Sequence, residues 1–191
     1  MESLHDRLLA EFEEHSAVLF ETRKRCLEPL ERLIQAAAAC LTSGGKLLIF
    51  GNGGSAADAQ HWATELTIRF AKNRRALAAM ALTTDTSAIT ACGNDFGYDH
   101  IFSRQIEALG RSGDLAIAIT TSGDSPNILA AVQQAKSQNI YTAAFTGETG
   151  GKVRELANLL IAVPSRSTAR IQEMHELLGH QFCREIEAML T

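Results

Sequence analysis

Apolar positions recur every three or four residues through the first forty positions, the period of a helix. Residues 3–41 contain no glycine, so the stretch predicts helix, with Pro29 either opening a second helix or kinking one long one. Ser43, Gly44 and Gly45 end it. The pattern then changes to five short apolar runs: KLLIFG (46–51), LAAMAL (77–82), DLAIAIT (114–120), YTAAFT (141–146) and LLIAV (159–163). None alternates cleanly between apolar and polar, so each predicts a strand buried on both faces, as in a parallel sheet. Helical character lies between them, at 55–71, about 101–110, 127–138 and 151–157. A last helix is expected over about 169–190, with no strand after it. The series predicts an α/β fold, a doubly wound five-stranded parallel sheet with extra N- and C-terminal helices. No linker or low-complexity tract interrupts it. Residues 1–191 therefore read as a single domain, with 1–41 the leading helical segment and 42–191 the α/β core and closing helix.

Composition narrows the function classes. The chain is 46% hydrophobic and 21% charged, ordinary for a globular protein. A net charge of −4 and a pI of about 5.9 offer no basic field for nucleic acid or an anionic membrane. Neither is expected as a partner, and an anionic small molecule would need a local pocket. The start, MESLHDRLLAEFEEH, lacks the apolar stretch of a signal peptide, and no run reaches the ~18 apolar residues of a membrane helix. Cys26, Cys40, Cys92 and Cys183 form no CxxC pair. These features predict a cytoplasmic protein whose reduced thiols fill the core.

In open α/β sheets, ligands bind beyond the carboxyl ends of the strands. The loops expected there are GNGGSAAD, TTDTSAITACGNDFG, TSGDSPN and TGETGG, all rich in small polar residues. In TTSGDSPNILAA (120–131), Thr120, Thr121 and Ser122 end a strand, Gly123 permits a turn, and Ser125 precedes a helix. Hydroxyl donors beside the free N–H groups of a helix N-terminus suit a phosphate. The alternative is that Ser125 only caps its helix. GNGGSA (51–56) fits the dinucleotide fingerprint poorly, because no acidic residue ends the second strand about 20 residues later. A P-loop is absent too.

His61 and Glu65 share one face of the helix that GNGG opens. On the last helix, Gln172 and His180 stand about 80° apart and can face one pocket two turns apart, whereas His175 points elsewhere, to packing or surface. Two imidazoles, a carboxylate and an amide oxygen would compose a four-coordinate site for zinc or a similar divalent ion.

The segments GNGGSAADAQH, ALTTDTSAITACGNDFGYDHIFSRQ, TTSGDSPNILAA, TGETGGKVREL and RIQEMHELLGH run in this order from about residue 40. Together they resemble the sugar isomerase (SIS) domain and, more narrowly, the phosphoheptose isomerases. The resemblance implies a homotetramer interconverting sedoheptulose 7-phosphate and D-glycero-D-manno-heptose 7-phosphate. That step leads towards ADP-heptose for the bacterial lipopolysaccharide core or other surface glycans. It also implies one zinc ion per subunit on His61, Glu65, Gln172 and His180. Substrate contacts are implied at Asn52, Gly53, Gly54, Ser55, Glu65, Asn94, Asp95, Thr120, Thr121, Ser122, Ser125 and Gln172, with the phosphate on the 120–125 loop. Aldose–ketose isomerisation moves a proton through an enediol, and Glu65 and His180 are the expected acid–base pair. PSRSTARIQEMHE (164–176) equally resembles a non-catalytic SIS-domain scaffold, the DnaA-binding initiator-associating protein. The joint presence of His61, Glu65 and His180 favours the enzyme, since a scaffold has no chemical use for them.

Overall fold

The computed structural model describes residues 3–191. Five strands form one parallel sheet: β1 (Leu47–Gly51), β2 (Ala79–Ala81), β3 (Leu115–Ile119), β4 (Tyr141–Thr146) and β5 (Leu159–Ala162). Their order is β2-β1-β3-β4-β5. Six helices accompany them: α1 (Leu4–Thr42), α2 (Gly54–Thr67), α3 (Thr86–Asp95), α4 (Ser103–Leu109), α5 (Pro126–Ser137) and α6 (Thr168–Leu190).

The unbroken apolar runs are explained by what covers them. Every residue of β1 and β3 is buried, and successive side chains enter different layers. Leu47, Ile49, Leu115, Ile117 and Phe145 pack with side chains of α1, α2 and α6. Leu48, Phe50, Ala116, Ala118 and Ala144 pack with those of α4 and α5 on the other face. β2 is the exception, an edge strand whose Met80 is exposed, and only three residues of the expected LAAMAL run pair with β1.

β1 lies between β2 and β3, so the chain leaves it in one direction for β2 and returns on its other side as β3. This reversal opens a crevice at the carboxyl ends of β1 and β3, where Gly51 is paired with Ile119. GNGG and TTSG therefore become neighbours.

Two sequence expectations change, and one alternative is decided. Pro29 does not open a second helix but lies inside one long one: α1 is a helix of 39 residues, opened by a reciprocal Ser3–Asp6 capping box. The carbonyl of Arg25, deprived of its helical donor by Pro29, belongs to an exposed residue where water can satisfy it. The segment read as a loop after β2 contains α3, capped by Asp85, whose carboxylate accepts from Ala88 N at 2.9 Å. The helical stretch at 151–157 tightens to a 3-10 turn, Lys152–Glu155.

Two contacts set how α2 and α6 lie together. A Cβ built on Gly179 of α6 would fall 2.0 Å from the Trp62 ring of α2, so only glycine permits this approach. Beyond α2, the Glu187 carboxylate of α6 accepts from the backbone N–H groups of Phe70, Ala71 and Lys72 at 2.9–3.0 Å and pairs with Arg74. Arg74 in turn donates to the carbonyls of Glu65 and Leu66 at 2.8 Å, closing the last turn of α2. Among the described residues, no helix is long and apolar enough to cross a membrane.

Candidate active site

The crevice is built from two loops and two helices. On the loop side, Gly53 takes φ 57°, a left-handed conformation that favours glycine, and α2 begins at the next residue. Gly54 lies against Gln172: a Cβ there would meet the Gln172 amide nitrogen at 2.6 Å. Ser55 is buried in the first turn of α2. The Asn52 carboxamide is already engaged. It donates to Asn127 Oδ1 at 2.9 Å and accepts from Asn127 Nδ2 at 2.8 Å, while Tyr98 donates its hydroxyl to Asn52 Oδ1 at 3.2 Å. Asn127 belongs to the first turn of α5, so this paired amide bolts GNGG to the TTSGDS loop. Asn94 and Asp95, at the end of α3, are exposed and bonded to each other at 2.7 Å.

The TTSGDS loop has the form an anion site needs. Thr120 Oγ1 accepts from Gly123 N at 3.2 Å, and Ser122 Oγ accepts from Asp124 N at 3.2 Å. Each hydroxyl thus fixes the turn with a lone pair and keeps its own O–H to donate. Ser125 is the N-cap of α5, yet its side chain makes no capping bond. Its hydroxyl remains free at the positive end of a 12-residue helix, which answers the alternative that it serves only as a cap. A cavity of about 280 Å³ opens beside this loop, lined by Thr121, Ser122, Asp124, Gly147, Ser165 and Thr168. Arg166 stands at its rim, paired with Glu148 at 3.0 Å.

The titratable groups come from the helices. Asp58, His61 and Glu65 follow one face of α2 at i, i+3 and i+7, and Gln172, Glu176 and His180 follow one face of α6 at i, i+4 and i+8. The faces meet. His61 Nε2 is 3.1 Å from Glu65 Oε1, and its Nδ1 is 2.6 Å from Glu176 Oε1. His180 Nε2 is 3.5 Å from the same Glu176 oxygen, and the two imidazole rings stand edge to face at 5.0 Å. The other Glu176 oxygen faces the Trp62 indole N–H at 3.4 Å. Burial pushes the Asp58 carboxyl up to about 6; the Glu176 charge adds to this and His61 opposes it. His175 lies in the core instead, bonded through Nε2 to the Thr146 carbonyl at 3.2 Å.

His61, Glu176 and His180 can each bring one ligand atom within 4.8 Å of the others. Two imidazole nitrogens and a carboxylate oxygen match the donor set of a three-residue zinc site with an open fourth position, so the residues fit a divalent ion. Glu65 flanks the other nitrogen of His61, and Gln172 reaches towards Gly54.

Helical spacing in the sequence points to His61, Glu65, Gln172 and His180, whereas Asp58, Glu176, Asn127 and Tyr98 join the site only in the fold. The signal for Glu176 was present: it sits one turn from both Gln172 and His180. A glutamate on a helix reads as solvated until a second helix is laid against it. Asn127 gave no signal, because nothing local links it to a residue 75 positions away.

Known proteins agree with this architecture. The SIS domain family model matches residues 12–147. The phosphoheptose isomerase of Paramagnetospirillum magneticum is 59% identical over 92% of this chain and 92% of its own length. That of Neisseria gonorrhoeae is 48% identical over the whole chain and 98% of its own. The solved structure of the N. gonorrhoeae enzyme superposes with a TM-score of 0.92 at 45% identity, covering 97% of this chain and all of that one. A phosphoheptose isomerase structure from Francisella tularensis gives 0.95 at 38% identity, covering 98% and 100%. With a matching domain, relatives of equal extent and a shared fold, this chain belongs to the SIS-domain family, among the phosphoheptose isomerases.

Proposed function

We infer that the chain is an aldose–ketose isomerase interconverting sedoheptulose 7-phosphate and D-glycero-D-manno-heptose 7-phosphate, as its relatives' name implies. One observation carries the reading. Two carboxylates, Glu65 and Glu176, and two imidazoles converge where α2 meets α6, in a chain matched end to end by phosphoheptose isomerases. The non-catalytic scaffold is not favoured.

In this reading the phosphate is held by the hydroxyls of Thr120, Thr121, Ser122 and Ser125 and by the first turn of α5. The sugar backbone passes GNGG, where Gly53 and Gly54 leave room, with Ser55, Asn94, Asp95 and Gln172 as further contacts. Glu65 and His180 are the proton-moving pair. From the ketose side, a base takes a proton from C1 while the C2 oxygen gains one, giving the enediol. Return of a proton to C2 and loss of the O1 proton then complete the aldehyde. His61, Glu65, Gln172 and His180, the set the family resemblance implies, would hold a zinc ion, which would supply polarisation of the substrate carbonyl or organise the site. A homotetramer belongs to the same proposal, supported by the apolar residues that α1 leaves exposed, Leu4, Leu8, Phe12 and Phe20 among them. A cytoplasmic location is supported by four buried, unpaired cysteines.

The test is turnover of sedoheptulose 7-phosphate, lost in Glu65→Gln and His180→Gln while circular dichroism stays that of the wild type. Wild-type protein that binds the sugar phosphate but does not isomerise it, with or without zinc, would overturn the proposal.

A further inference from the structure

We propose that Arg166 binds the phosphate of the substrate, leaving Glu148 to close over the TTSGDS loop from the side of the cavity. The proposal rests on the reading above that assigns a sugar phosphate to that loop.

Backbone bonds fix the walls of the cavity. Gly147 N donates to the Thr121 carbonyl at 3.0 Å, and Glu148 N donates to the Ser165 carbonyl at 3.0 Å. The TTSGDS, TGETGG and PSRS segments are thereby laced side by side. Gly147 lies at the seam, where a Cβ would stand 2.8 Å from the Thr121 oxygen and 3.1 Å from that of Ser165. Arg166 follows Ser165 directly, so this lacing brings it to the same cavity as Thr121 and Ser122.

The cavity is short of positive charge for such a guest. A phosphate monoester carries about −1.5 to −2 at pH 7. Two carboxylates, Asp124 and Glu148, line the cavity, and Arg166 is the one cationic side chain among the described residues that line it. Hydroxyls and backbone N–H groups offer dipoles but no net charge. Arg154, close by in sequence, is committed to the carbonyls of Thr149 and Glu148 and is not part of the lining.

Arg166 is free to move. Its side chain is 81% exposed, and it is held by a bond from Nε to Glu148 Oε2 at 3.0 Å. Its two terminal nitrogens, the pair suited to grip two phosphate oxygens, make no hydrogen bond among the described residues. An exposed ion pair is weak because water screens it, whereas a charge-assisted fork on phosphate is among the stronger polar contacts. Exchanging one for the other is therefore downhill once a phosphate arrives. Glu148 is 43% exposed and returns to water, so no buried charge is stranded. Until then Glu148 keeps the guanidinium at the rim and the entrance open. The exchange favours a phosphorylated sugar over the free sugar, which offers nothing to draw Arg166 away.

The experiment measures KM and kcat for sedoheptulose 7-phosphate and, by calorimetry, the affinity for inorganic phosphate. It compares wild type, Arg166→Gln, Arg166→Lys, Glu148→Gln and the double variant Arg166→Gln/Glu148→Gln, each at low and high salt. Thermal unfolding checks that every variant is folded. We expect Arg166→Gln to raise KM and weaken phosphate binding about tenfold, the loss falling on KM rather than kcat. Arg166→Lys keeps the charge without the fork and should lie between. Glu148→Gln should shift KM the other way, about threefold lower, because the guanidinium no longer has to be released. That gain should vanish in the double variant, since Glu148 acts through Arg166. The advantage of wild type over Arg166→Gln should also shrink as salt rises. The proposal is overturned if Arg166→Gln leaves KM and phosphate affinity unchanged, or if Glu148→Gln gains as much without Arg166 as with it. A wild type that binds phosphate through Arg166 but does not isomerise the sugar refutes the isomerase reading and upholds this one. A wild type that binds neither phosphate nor the sugar phosphate overturns both.

Discussion

Replacing Gly179 by alanine tests whether the chemistry depends on how closely α6 lies on α2. The added Cβ would stand 2.0 Å from the Trp62 ring, against ~3.6 Å for an ordinary carbon contact. About 1.6 Å must therefore be found. Trp62 cannot easily yield, being buried and packed edge-on against Phe145 at 4.9 Å, with Phe182 behind it at 6.4 Å. Overpacking of this kind costs ~1–3 kcal/mol, and so large a gap belongs at the upper end. Alanine returns up to ~1 kcal/mol through helix propensity. The net loss is about 2 kcal/mol, or a Tm lower by roughly 4–8 °C for a chain of this length. Function should suffer more. Separating the helices moves His61 and Glu65 away from His180, and a displacement of ~1 Å in a reacting constellation costs about a hundredfold in turnover. The contacts proposed for the phosphate should change little, because the TTSGDS loop is carried by other elements, so the loss should fall more on kcat than on KM. Thermal unfolding by circular dichroism and turnover of sedoheptulose 7-phosphate read both effects. A Gly179→Ala protein with wild-type Tm and wild-type kcat would refute the helix contact as described.

Three further outcomes follow from the same structure. Ser125→Ala should raise KM roughly tenfold or more with kcat nearly unchanged, since a hydrogen bond to a charged group is worth ~1.5–3 kcal/mol; a lowered Tm with unchanged KM would return Ser125 to a capping role. Burial lowers the His175 pKa from 6.5 to about 4, with its bond to Thr146 opposing the shift, so the folded state favours the neutral ring. Its contribution is complete above pH ~6.5 and declines as pH falls towards ~4, by up to about 3 kcal/mol. Tm against pH should therefore fall less steeply on acidification in His175→Gln, and parallel profiles would contradict this. Glu187→Gln should lower stability by about 2 kcal/mol by weakening the three backbone bonds at residues 70–72 and leaving Arg74 without its carboxylate. An unchanged melting curve would show that the loop needs no such anchor.

Much of the fold was readable because its strands are covered on both sides. A run such as LAIAI has no polar face to disguise it, and its burial in the sheet is complete. α3 was missed for the opposite reason. Only Cys92 of its ten residues is buried, so no apolar stripe marks it, and the Asp85 cap is its main local signal. The TTSGDS loop, to which the proposed function assigns the phosphate, stands out in the sequence because hydroxyls, a turn glycine and a helix start are contiguous. The polar cluster was half legible. His61 and Glu65, like Gln172 and His180, betray themselves by helical spacing, but Asp58 and Glu176 acquire meaning only when two helices more than a hundred residues apart in sequence are brought face to face.

The paired amides of Asn52 and Asn127 bear on how the molecule ages. Asn52 precedes Gly53, and an asparagine followed by glycine is unusually prone to cyclise, because no side chain shields the next backbone nitrogen from the carboxamide carbon. The product is a succinimide that opens to aspartate or isoaspartate, placing a negative charge or an extra backbone carbon in the crevice. Here both ends of the Asn52 carboxamide are engaged by Asn127, and Tyr98 holds its oxygen a second time. Turning the carbon towards Gly53 means breaking these bonds first. The clasp that aligns two loops thus also slows this chemistry at residue 52, and a chain without Asn127 would lose that protection.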